Sequence, residues 1–256
     1  MIEKIIIDKV GSCYQKESVV LRKGSKKEIE FPALIAIIKH KKYGNILYDT
    51  GYSDMFFDET KKYPAKIYRK LTKVIIDTTI EDVLEKYNLK MEDINYVFVS
   101  HFHPDHIGNL HKFVNARIFC SKEEYTMLIN ERSNLKKLKH GFFEKMIPDN
   151  ISESMISFEE LLSIDIENHT KKGRKLFEDN NLIAIPLYAH RKGQHGLLVN
   201  YNNKKYFFVS DSIWVIDNIH ETKPSFGLKL VFENFKLYND EIKFLKKIKK
   251  NTEIIP

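Results

Sequence analysis

The sequence predicts an α/β fold, a four-layer αββα sandwich formed by one domain spanning residues 1–256. Strand-like apolar segments are followed by helical segments in both halves of the chain, which is the order that such layered folds require. The chain has 256 residues, of which 43% are hydrophobic, so it can bury one large core. No apolar run approaches roughly eighteen residues, and we therefore expect no membrane-spanning segment and no membrane partner.

The first half of the chain reads as a series of strands followed by helices. The sequence KKYGN at 41–45 supplies a hairpin turn. Thr78 and Glu81 form a capping box that predicts a helix through Tyr87. The predicted strands are 2–10, 17–22, 33–39 and 45–49, and 52–73 is predicted to be helical with a break at Pro64.

The rest of the chain continues with strands and helices, beginning on either side of a histidine-rich loop. Strands are predicted at 96–100 and 116–120 on either side of the loop, followed by a mainly helical insertion around 122–180. Asn202 and Asn203 mark a turn between two later strands. The remaining predicted elements are strands at 182–188, 196–201 and 205–210, a helix at 239–249 and a short strand at 252–255.

The chain is basic, with 42 Lys and Arg against 35 Asp and Glu and a net charge of +7. This charge raises the question of a nucleic-acid partner. Only six of the basic residues are Arg, and the lysines are dispersed along the chain, whereas proteins that read phosphates and base edges are usually rich in Arg. We therefore expect a small-molecule substrate and no nucleic-acid partner. The oligomeric state does not follow from the sequence.

Cysteine usage and the N-terminal residues indicate a cellular location. Cys13 and Cys120 are the only two cysteines, and a pair so far apart suits a reducing compartment better than a disulfide framework. The opening MIEKIIIDKVGS is too short and too charged for a signal peptide and reads as a first strand. We therefore expect a cytoplasmic protein.

Three histidines and an aspartate lie within six residues, directly after the apolar strand-like run 96–100. In an extended segment His101 and His103 point to the same side. Asp105 and His106 would open a helix whose first turn projects back toward the strand end. Ionisable groups at the end of a buried strand carry a large desolvation cost unless they are paired or bind a cation. Imidazole and carboxylate ligands suit Zn, Fe, Mn or Co, and the lack of thiolates argues against a purely structural zinc site.

The spacing of His101, His103, Asp105 and His106 resembles the HxHxDH signature of the metallo-β-lactamase fold superfamily. Other segments follow in that superfamily's order: NILYDTG at 45–51, IAIPLYAH at 183–190 and YFFVSD at 206–211. The resemblance covers most of the chain, and within the superfamily it looks closest to the lactonase-like hydrolases. It implies the αββα sandwich again and, by analogy, a metallo-hydrolase.

The resemblance also implies the more distant members of the site. His190 follows an apolar strand and is the expected ligand, with His195 as the alternative or else as a loop residue behind the ligands. Asp211 ends another apolar strand and is expected to bridge two metal ions, with Asp217 as its competitor. Asp49, in the DTG turn, is expected to lie behind the ligands.

Three further positions extend this expected site. Arg191 and Lys192 are candidates to contact an anionic substrate, or they belong to a solvated loop. Trp214 stands where the well-known lactonases commonly carry a Tyr that assists the substrate carbonyl, and it reads as a pocket wall or as core. The superfamily usually adds a histidine after a C-terminal strand, and the sequence ends at Pro256 without one. We therefore expect either a weaker second metal site or a natural chain that continues.

The function that follows from the resemblance is metal-dependent hydrolysis. A metal-bound hydroxide would attack the carbonyl of a small ester, lactone, thioester or amide, and Asp105 would carry the proton to the leaving group. Zn is expected at two sites, with Fe or Mn as alternatives. Three other functions stay open: an iron-dependent oxidoreductase or sulfur dioxygenase, an RNA or phosphodiester nuclease, and a degenerate relative that binds metal weakly without turnover.

Overall fold

The computed structural model describes residues 1–166, 171–221 and 224–256. The chain divides into two compact units, the first made of Met1–Tyr14 and Glu30–Ser157 and the second of Gln15–Ile29 and Phe158–Pro256. Two β-sheets accompanied by helices confirm the α/β fold class that the sequence predicts. Among the helices described, none combines the length and the hydropathy needed to cross a membrane.

Seven strands form the sheet of the first unit: β1 (Ile2–Lys16), β2 (Glu28–His40), β3 (Gly44–Tyr48), β4 (Lys73–Ile75), β5 (Ile94–Phe98), β6 (Arg117–Cys120) and β7 (Met155–Ser157). They lie in the order β4-β1-β2-β3-β5-β6-β7. The pair β2–β3 is an antiparallel hairpin, and the predicted turn before Asn45 contains Gly44 at φ 74°, a left-handed conformation that glycine adopts without strain. The strands β3, β5, β6 and β7 pair in parallel, so the segments that follow them emerge at one edge of the sheet.

The central strand β5 explains why the polar turn after it is rigid. Val97, Phe98 and Val99 are fully buried, as is typical of a parallel strand that is covered on both faces. Beyond the strand, the amide of Asp49 donates to the carbonyl of Phe98 at 2.8 Å, and the amide of Val99 donates to that of Phe119 at 2.9 Å. The backbone is therefore hydrogen-bonded up to the start of the histidine-rich turn.

The helices of the first unit are short. The helix α4 (Ile80–Lys86) begins with a capping box in which Thr79 Oγ1 accepts the amide of Asp82 at 3.1 Å and the Asp82 carboxylate accepts the amide of Thr79 at 2.9 Å. The predicted box at Thr78 and Glu81 is thus one residue too early. After α1 (Glu17–Val20), which belongs to the second unit, the helices are α2 (Met55–Glu59), α3 (Ala65–Leu71), α4 (Ile80–Lys86), α5 (Pro104–Ile107), α6 (Lys122–Asn130), α7 (Asn134–Lys139) and α8 (Ile151–Ser154).

Six strands form the sheet of the second unit: β8 (Ser163–Asp165), β9 (Lys172–Lys175), β10 (Leu182–Pro186), β11 (His195–Tyr201), β12 (Lys204–Phe208) and β13 (Glu253–Ile255). Their order is β13-β12-β11-β10-β9-β8, antiparallel except for the β12–β13 pair. The predicted turn at Asn202 and Asn203 is confirmed. Both residues have positive φ, 50° and 60°, as the favoured two-residue hairpin turn requires.

Two helices near the C-terminus complete the second unit, α9 (Phe226–Val231) and α10 (Phe235–Ile248). The side chain of Asn234 caps α10 by accepting the amide of Leu237 at 3.1 Å. The buried stripe of α10 includes Tyr238, Leu245 and, unusually for an apolar face, the carboxylate of Glu241.

The structure differs from the predicted secondary structure in segment 17–22 and in part of segment 122–180. The strand predicted at 17–22 is wrong, because α1 occupies most of that segment. Leu21 donates to the carbonyl of Glu17 at 2.8 Å, and the Glu17 carboxylate accepts the amide of Ser25 at 2.7 Å, so local hydrogen bonds override the β-branched composition. The segment 122–180, predicted as a mainly helical insertion, holds α6, α7 and α8 and then β7, β8 and β9, and its residues 167–170 lie outside the described residues.

Candidate metal centre

The metal turn, residues His101–His106, lies at the carboxyl end of β5 in the first unit. His103 is the N-cap of α5, and its carbonyl accepts the amides of His106 and Ile107, both at 3.0 Å. Pro104 occupies the first helical position, where its missing N–H sacrifices no hydrogen bond. One turn of helix therefore carries His106 back toward the strand end, as the sequence predicts.

The four predicted ligands of the metal turn lie close together. The ring centroid of His101 is 4.5 Å from that of His103 and 4.1 Å from that of His106. Nε2 of His106 lies 3.5 Å from Oδ2 of Asp105. His101 is only 1% exposed, whereas the Asp105 side chain is 25% exposed. The turn thus presents a packed group of imidazoles with one accessible carboxylate.

Asp49 is buried behind the metal turn and orients His106. Its Oδ2 lies 2.7 Å from Nδ1 of His106, and Ser100 donates to the carboxylate through its amide and its hydroxyl, each at 2.8 Å. Because an ionised carboxylate only accepts hydrogen bonds, Nδ1 of His106 carries the proton and Nε2 keeps the lone pair that a metal needs. Burial raises the pKa of Asp49, while the His106 ring and the Ser100 donors oppose that rise.

The DTG turn is tied to the metal turn by buried hydrogen bonds. Asp49 itself adopts a left-handed backbone, φ 52°, directly after β3. Thr50 donates to the carbonyl of His106 through its amide at 2.7 Å and its hydroxyl at 3.0 Å. The side-chain amide of Asn109 donates to the carbonyls of Thr50 and Tyr52 at 2.9 and 2.8 Å. These bonds satisfy buried polar groups and fix both turns in one arrangement.

Gly141 packs against His103 from a distant part of the first unit. Its φ is 62°, and a Cβ added there would lie 2.8 Å from Cδ2 of His103 and 3.3 Å from the hydroxyl of Tyr68. Any larger residue would press on the imidazole, so the glycine limits where the His103 ring can lie.

His190 and Asp211 lie together in the second unit. Nε2 of His190 is 3.1 Å from Oδ2 of Asp211, with the imidazole 1% exposed and the carboxylate 18% exposed. Asp217, the competitor, is exposed within the short 3₁₀ helix Ile216–Ile219. The second unit therefore pairs the expected histidine with the expected aspartate.

The backbone around His190 is held by the junction between α9 and α10. The amide of Glu233 donates to the carbonyl of His190 at 3.3 Å, and the amide of Asn234 donates to that of Ala189 at 3.0 Å. The ring of Phe232 lies 5.3 Å from the imidazole, centroid to centroid. This junction orients a histidine that is more than forty positions earlier in the sequence.

His195 is not a loop residue, so the loop prediction is wrong, and a position behind the ligands stays a prediction. It is the first residue of β11 and is buried, with its ring 4.3 Å from that of Phe158. Nδ1 lies 2.8 Å from the carbonyl of Gly193, and burial lowers the pKa of His195 to about 4. The imidazole is therefore neutral at pH 7 and belongs to the packed interior of the second unit.

Arg191 is buried, so the expectation of a solvated loop is wrong for this residue. Its Nη1 lies 2.8 Å from Oε1 of Glu233, and the amide of Lys192 donates to Oε2 of the same carboxylate at 3.1 Å. The ion pair offsets the cost of burying the guanidinium. Contact of Arg191 with a substrate stays a prediction. The amide of Trp214 donates to Oδ1 of Asn218 at 3.1 Å, and the role of its ring also stays a prediction.

Glu241 reaches the His190 segment from α10. Its Oε1 accepts the amide of Ala189 at 3.3 Å and lies 3.5 Å from Nζ of Lys171, which donates to the carbonyl of Pro186 at 2.7 Å. Burial raises the pKa of Glu241 to about 7. The buried carboxylate thus holds the backbone that leads into His190 through the amide of Ala189.

Sequence reasoning missed several residues that support the ligands: Ser100, Thr50, Asn109, Gly141 and Glu241. The first three stand within a few positions of strand ends or of the metal turn, which is a usable signal for supporting hydrogen bonds. Glu241 is an acidic residue on the apolar stripe of an amphipathic helix, which is a second signal. Gly141 offers none, because its contact with His103 joins distant parts of the chain.

The donor set fits a divalent metal ion. The ligand atoms of His101 and His103 lie within 4.8 Å of each other, and the same holds for Asp105 with His106. Neutral imidazoles that are oriented by a buried carboxylate, as His106 is by Asp49, are typical of zinc and iron sites. In the second unit, His190 and Asp211 offer the same two kinds of donor.

Comparison with known proteins places the chain in a family. A model of the family described as anti-Pycsar protein Apyc1 matches residues 59–244, which includes the metal turn and the His190 segment. The chain belongs to this family. In this Apyc1-family chain the matched region also contains α10 as far as Phe244, and with it Glu241.

Solved structures confirm the metallo-β-lactamase fold, with lactonases and other metallo-hydrolases as neighbours of this Apyc1-family chain. A variant of AiiA from B. thuringiensis, with N-decanoyl-L-homoserine at its active site, is 17% identical over 100% of this chain and 92% of that chain, with a TM-score of 0.71. AidC, a dizinc quorum-quenching lactonase, is 20% identical over 98% and 86%, with a TM-score of 0.65. A probable metal-dependent hydrolase from Staphylococcus aureus is 18% identical over 95% and 84%, with a TM-score of 0.66.

Proposed function

We propose that this chain is a metal-dependent hydrolase. The observation that carries the proposal is the buried Asp49–His106 pair beside His101 and His103, because it presets an imidazole for metal binding at the end of a rigid strand. The AiiA and AidC structures support it, since the first holds N-decanoyl-L-homoserine at its active site and the second is described as a dizinc lactonase. Zinc is accordingly the metal we propose.

The proposed ligands are the residues of the metal turn together with His190 and Asp211. His101, His103 and His190 would hold one metal ion, Asp105 and His106 would hold another, and Asp211 would bridge them. Support comes from the chemistry of each donor set and from the superfamily signature that both segments resemble. A two-metal centre of this kind would use both oxygens of a carboxylate such as Asp211.

The reaction follows from what the residues can do. When bound, the metal would polarise the scissile bond and lower the pKa of water, which is the chemistry that it supplies. The accessible carboxylate of Asp105 would take the proton from the attacking water and pass it to the leaving group. Asp49 would keep the His106 ring in one tautomer throughout, and the buried histidines would hold the centre in place.

The proposed location is the cytoplasm.

The proposed substrate is a small ester, lactone, thioester or amide. A second candidate is the anti-Pycsar activity that the family description names, and the match over residues 59–244 favours it. A phosphodiester substrate and an iron-dependent oxidation stay as alternatives. These candidates differ in the bond that is cleaved and in the metal required, so metal content and a substrate panel separate them.

The decisive experiment combines elemental analysis with turnover. Purified protein should contain zinc and should hydrolyse one class in a panel of lactones, thioesters, other esters and bis(p-nitrophenyl) phosphate. His101→Ala and His103→Ala should lose metal and activity together. Iron as the bound metal with oxygen consumption, or full activity in both variants, would contradict the proposal.

Two controls sharpen this test. If His190 completes the same centre, His190→Ala should weaken binding of the metal that His101 and His103 hold, whereas separate sites would leave that binding unchanged. The buried His195 offers the matched control, because His195→Phe removes another buried imidazole of the second unit but no proposed ligand. Metal binding should therefore be unchanged in this variant. For the second candidate, the readout is loss of Pycsar action in cells that express the chain, compared with cells that express His101→Ala.

A further inference from the structure

The segment 61–73 combines a dense positive charge with exposed apolar side chains. Its sequence, KKYPAKIYRKLTK, contains six basic residues and no acidic residue. Asp58, just before it, pairs with Lys61 at 2.6 Å and offsets one of these charges. Among the exposed apolar residues of this region, Tyr63 is 66% exposed, Ile67 51% and Leu71 69%. Exposed groups of both kinds in one place mark an interaction surface.

The helix α3 within this segment is attached to the first unit on one side only. None of its residues is buried. Tyr68 packs against Phe56 and Phe143, with ring centroids 6.0 and 5.9 Å apart, and Arg69 lies 4.8 Å above the ring of Phe57. The opposite side faces solvent.

The exposed side of α3 has an interfacial pattern. Ile67 and Leu71 are four residues apart and lie on one face of the helix, and Lys66 and Lys70 form the stripe beside them. Ile75, on the edge strand β4 that follows α3, is also exposed, at 42%. A short basic helix with an apolar stripe suits a surface in which hydrocarbon lies beside negative headgroups.

We propose that the surface formed by Tyr63, Lys66, Ile67, Lys70 and Leu71 docks on an anionic lipid surface. A second copy of the chain is disfavoured, because a symmetric contact would bring the same cations together. RNA would use the cations and could stack a base on Tyr63, but it would gain little from Ile67 and Leu71, which are aliphatic. An anionic lipid surface uses both features. The expectation of no membrane partner rested on the lack of a spanning run, and surface docking needs none.

Binding of the full-length protein to vesicles tests this inference. Co-sedimentation should occur with vesicles of phosphatidylcholine and phosphatidylserine, not with phosphatidylcholine alone, and should weaken as salt is added. The double variant Lys66→Gln/Lys70→Gln should lower the partition coefficient roughly 25-fold, since each basic residue near an anionic surface contributes about fivefold. Ile67→Ser/Leu71→Ser should weaken binding at low and high salt alike.

Matched controls separate this surface from net charge. Lys246→Gln/Lys247→Gln removes the same charge from exposed positions of α10 and should leave vesicle binding within about twofold. An equal loss in this control, no vesicle binding by the unaltered chain, or binding of single-stranded RNA in place of vesicles would overturn the inference. So would a dimer in the absence of lipid that Ile67→Ser/Leu71→Ser converts to monomer. All substituted positions are exposed, and circular dichroism and metal content verify that each variant is folded.

Discussion

Oδ2 of Asp49 lies 2.7 Å from Nδ1 of His106, and the two residues come from turns that follow neighbouring parallel strands. The carboxylate is fully buried and holds the imidazole with its other nitrogen available for a metal. The register of β3 against β5 therefore determines the orientation of a ligand. The first prediction tests this relationship.

Asp49→Asn should weaken metal binding about 10- to 100-fold, because an amide cannot fix the His106 tautomer as a carboxylate does. Competition titration with a zinc chelator measures the affinity. The exposed Asp54 provides the control, since Asp54→Asn makes the same chemical change away from the histidines. Unchanged affinity in Asp49→Asn would show that the pair has no part in metal binding.

Gly141→Ala should disturb His103 as well as the backbone. The left-handed φ of 62° costs a residue with a Cβ about 1 to 2 kcal/mol of stability, and the added carbon would press on the imidazole. Gly44→Ala, in the β2–β3 turn at φ 74°, is the control, because it carries the same backbone strain and its Cβ would meet the side chain of Asn95 in place of an imidazole. Both variants should lose free energy of unfolding, and Gly141→Ala alone should lose metal affinity. Equal metal affinity in the two variants would separate Gly141 from the site.

His195 should make the protein sensitive to acid. Its pKa of about 4 in the folded state lies below the ordinary value of 6.5, so the unfolded chain binds more protons between these values. The stabilisation is complete above pH 6.5 and disappears as the pH falls to 4, with a size of about 3 kcal/mol. In denaturant unfolding, the stability of His195→Phe relative to the unaltered protein should rise by this amount as the pH falls from 6.5 to 4. The stability of His220→Phe, which removes an exposed imidazole, should keep a constant difference from the unaltered protein.

Glu241 should change the free energy of unfolding with pH in the opposite direction to His195, over a similar pH interval. Its folded pKa of about 7 lies above the ordinary 4.5, so the folded state binds more protons, and the free energy of unfolding falls as the pH rises from 4.5 to 7. The expected fall is about 3 kcal/mol and should be absent in Glu241→Gln. Because this fall and the rise from His195 oppose each other, the unaltered protein should show a flatter profile than either variant. A Glu241→Gln profile that matches the unaltered protein would contradict this account.

The parts of the fold and site that the sequence predicts are those encoded locally. The metal turn combines a buried apolar strand with four ionisable residues in six positions, so chemistry and position can both be read from one segment. The resemblance implies His190 and Asp211, each of which ends an apolar strand of its own, and the two lie 3.1 Å apart. The turn at Asn202 and Asn203 is equally local.

The parts that escaped prediction depend on contacts between distant residues. Segment 17–22 has the composition of a strand, yet its backbone bonds to the following loop, where the amides of Glu17 and Ser18 donate to the carbonyls of Lys27 and Ser25. The predicted strand 196–201 begins one residue after β11, which includes His195. Gly141 touches His103 and Glu241 supports Ala189 through tertiary packing alone, and no periodicity in the sequence indicates such pairs.

The hydrogen bonds at the α9–α10 junction have a consequence for synthesis on the ribosome. Asp49, Ser100 and His106, with their supports Thr50 and Asn109, are all present once the first 109 residues have emerged. The carbonyls of Ala189 and His190, in contrast, accept their hydrogen bonds from residues 233 and 234, near the end of the chain. The two ligand segments therefore acquire their hydrogen-bond partners at different stages of synthesis. A nascent chain that ends before residue 233 contains every partner of the Asp49–His106 pair named above but lacks the donors to the carbonyls of Ala189 and His190.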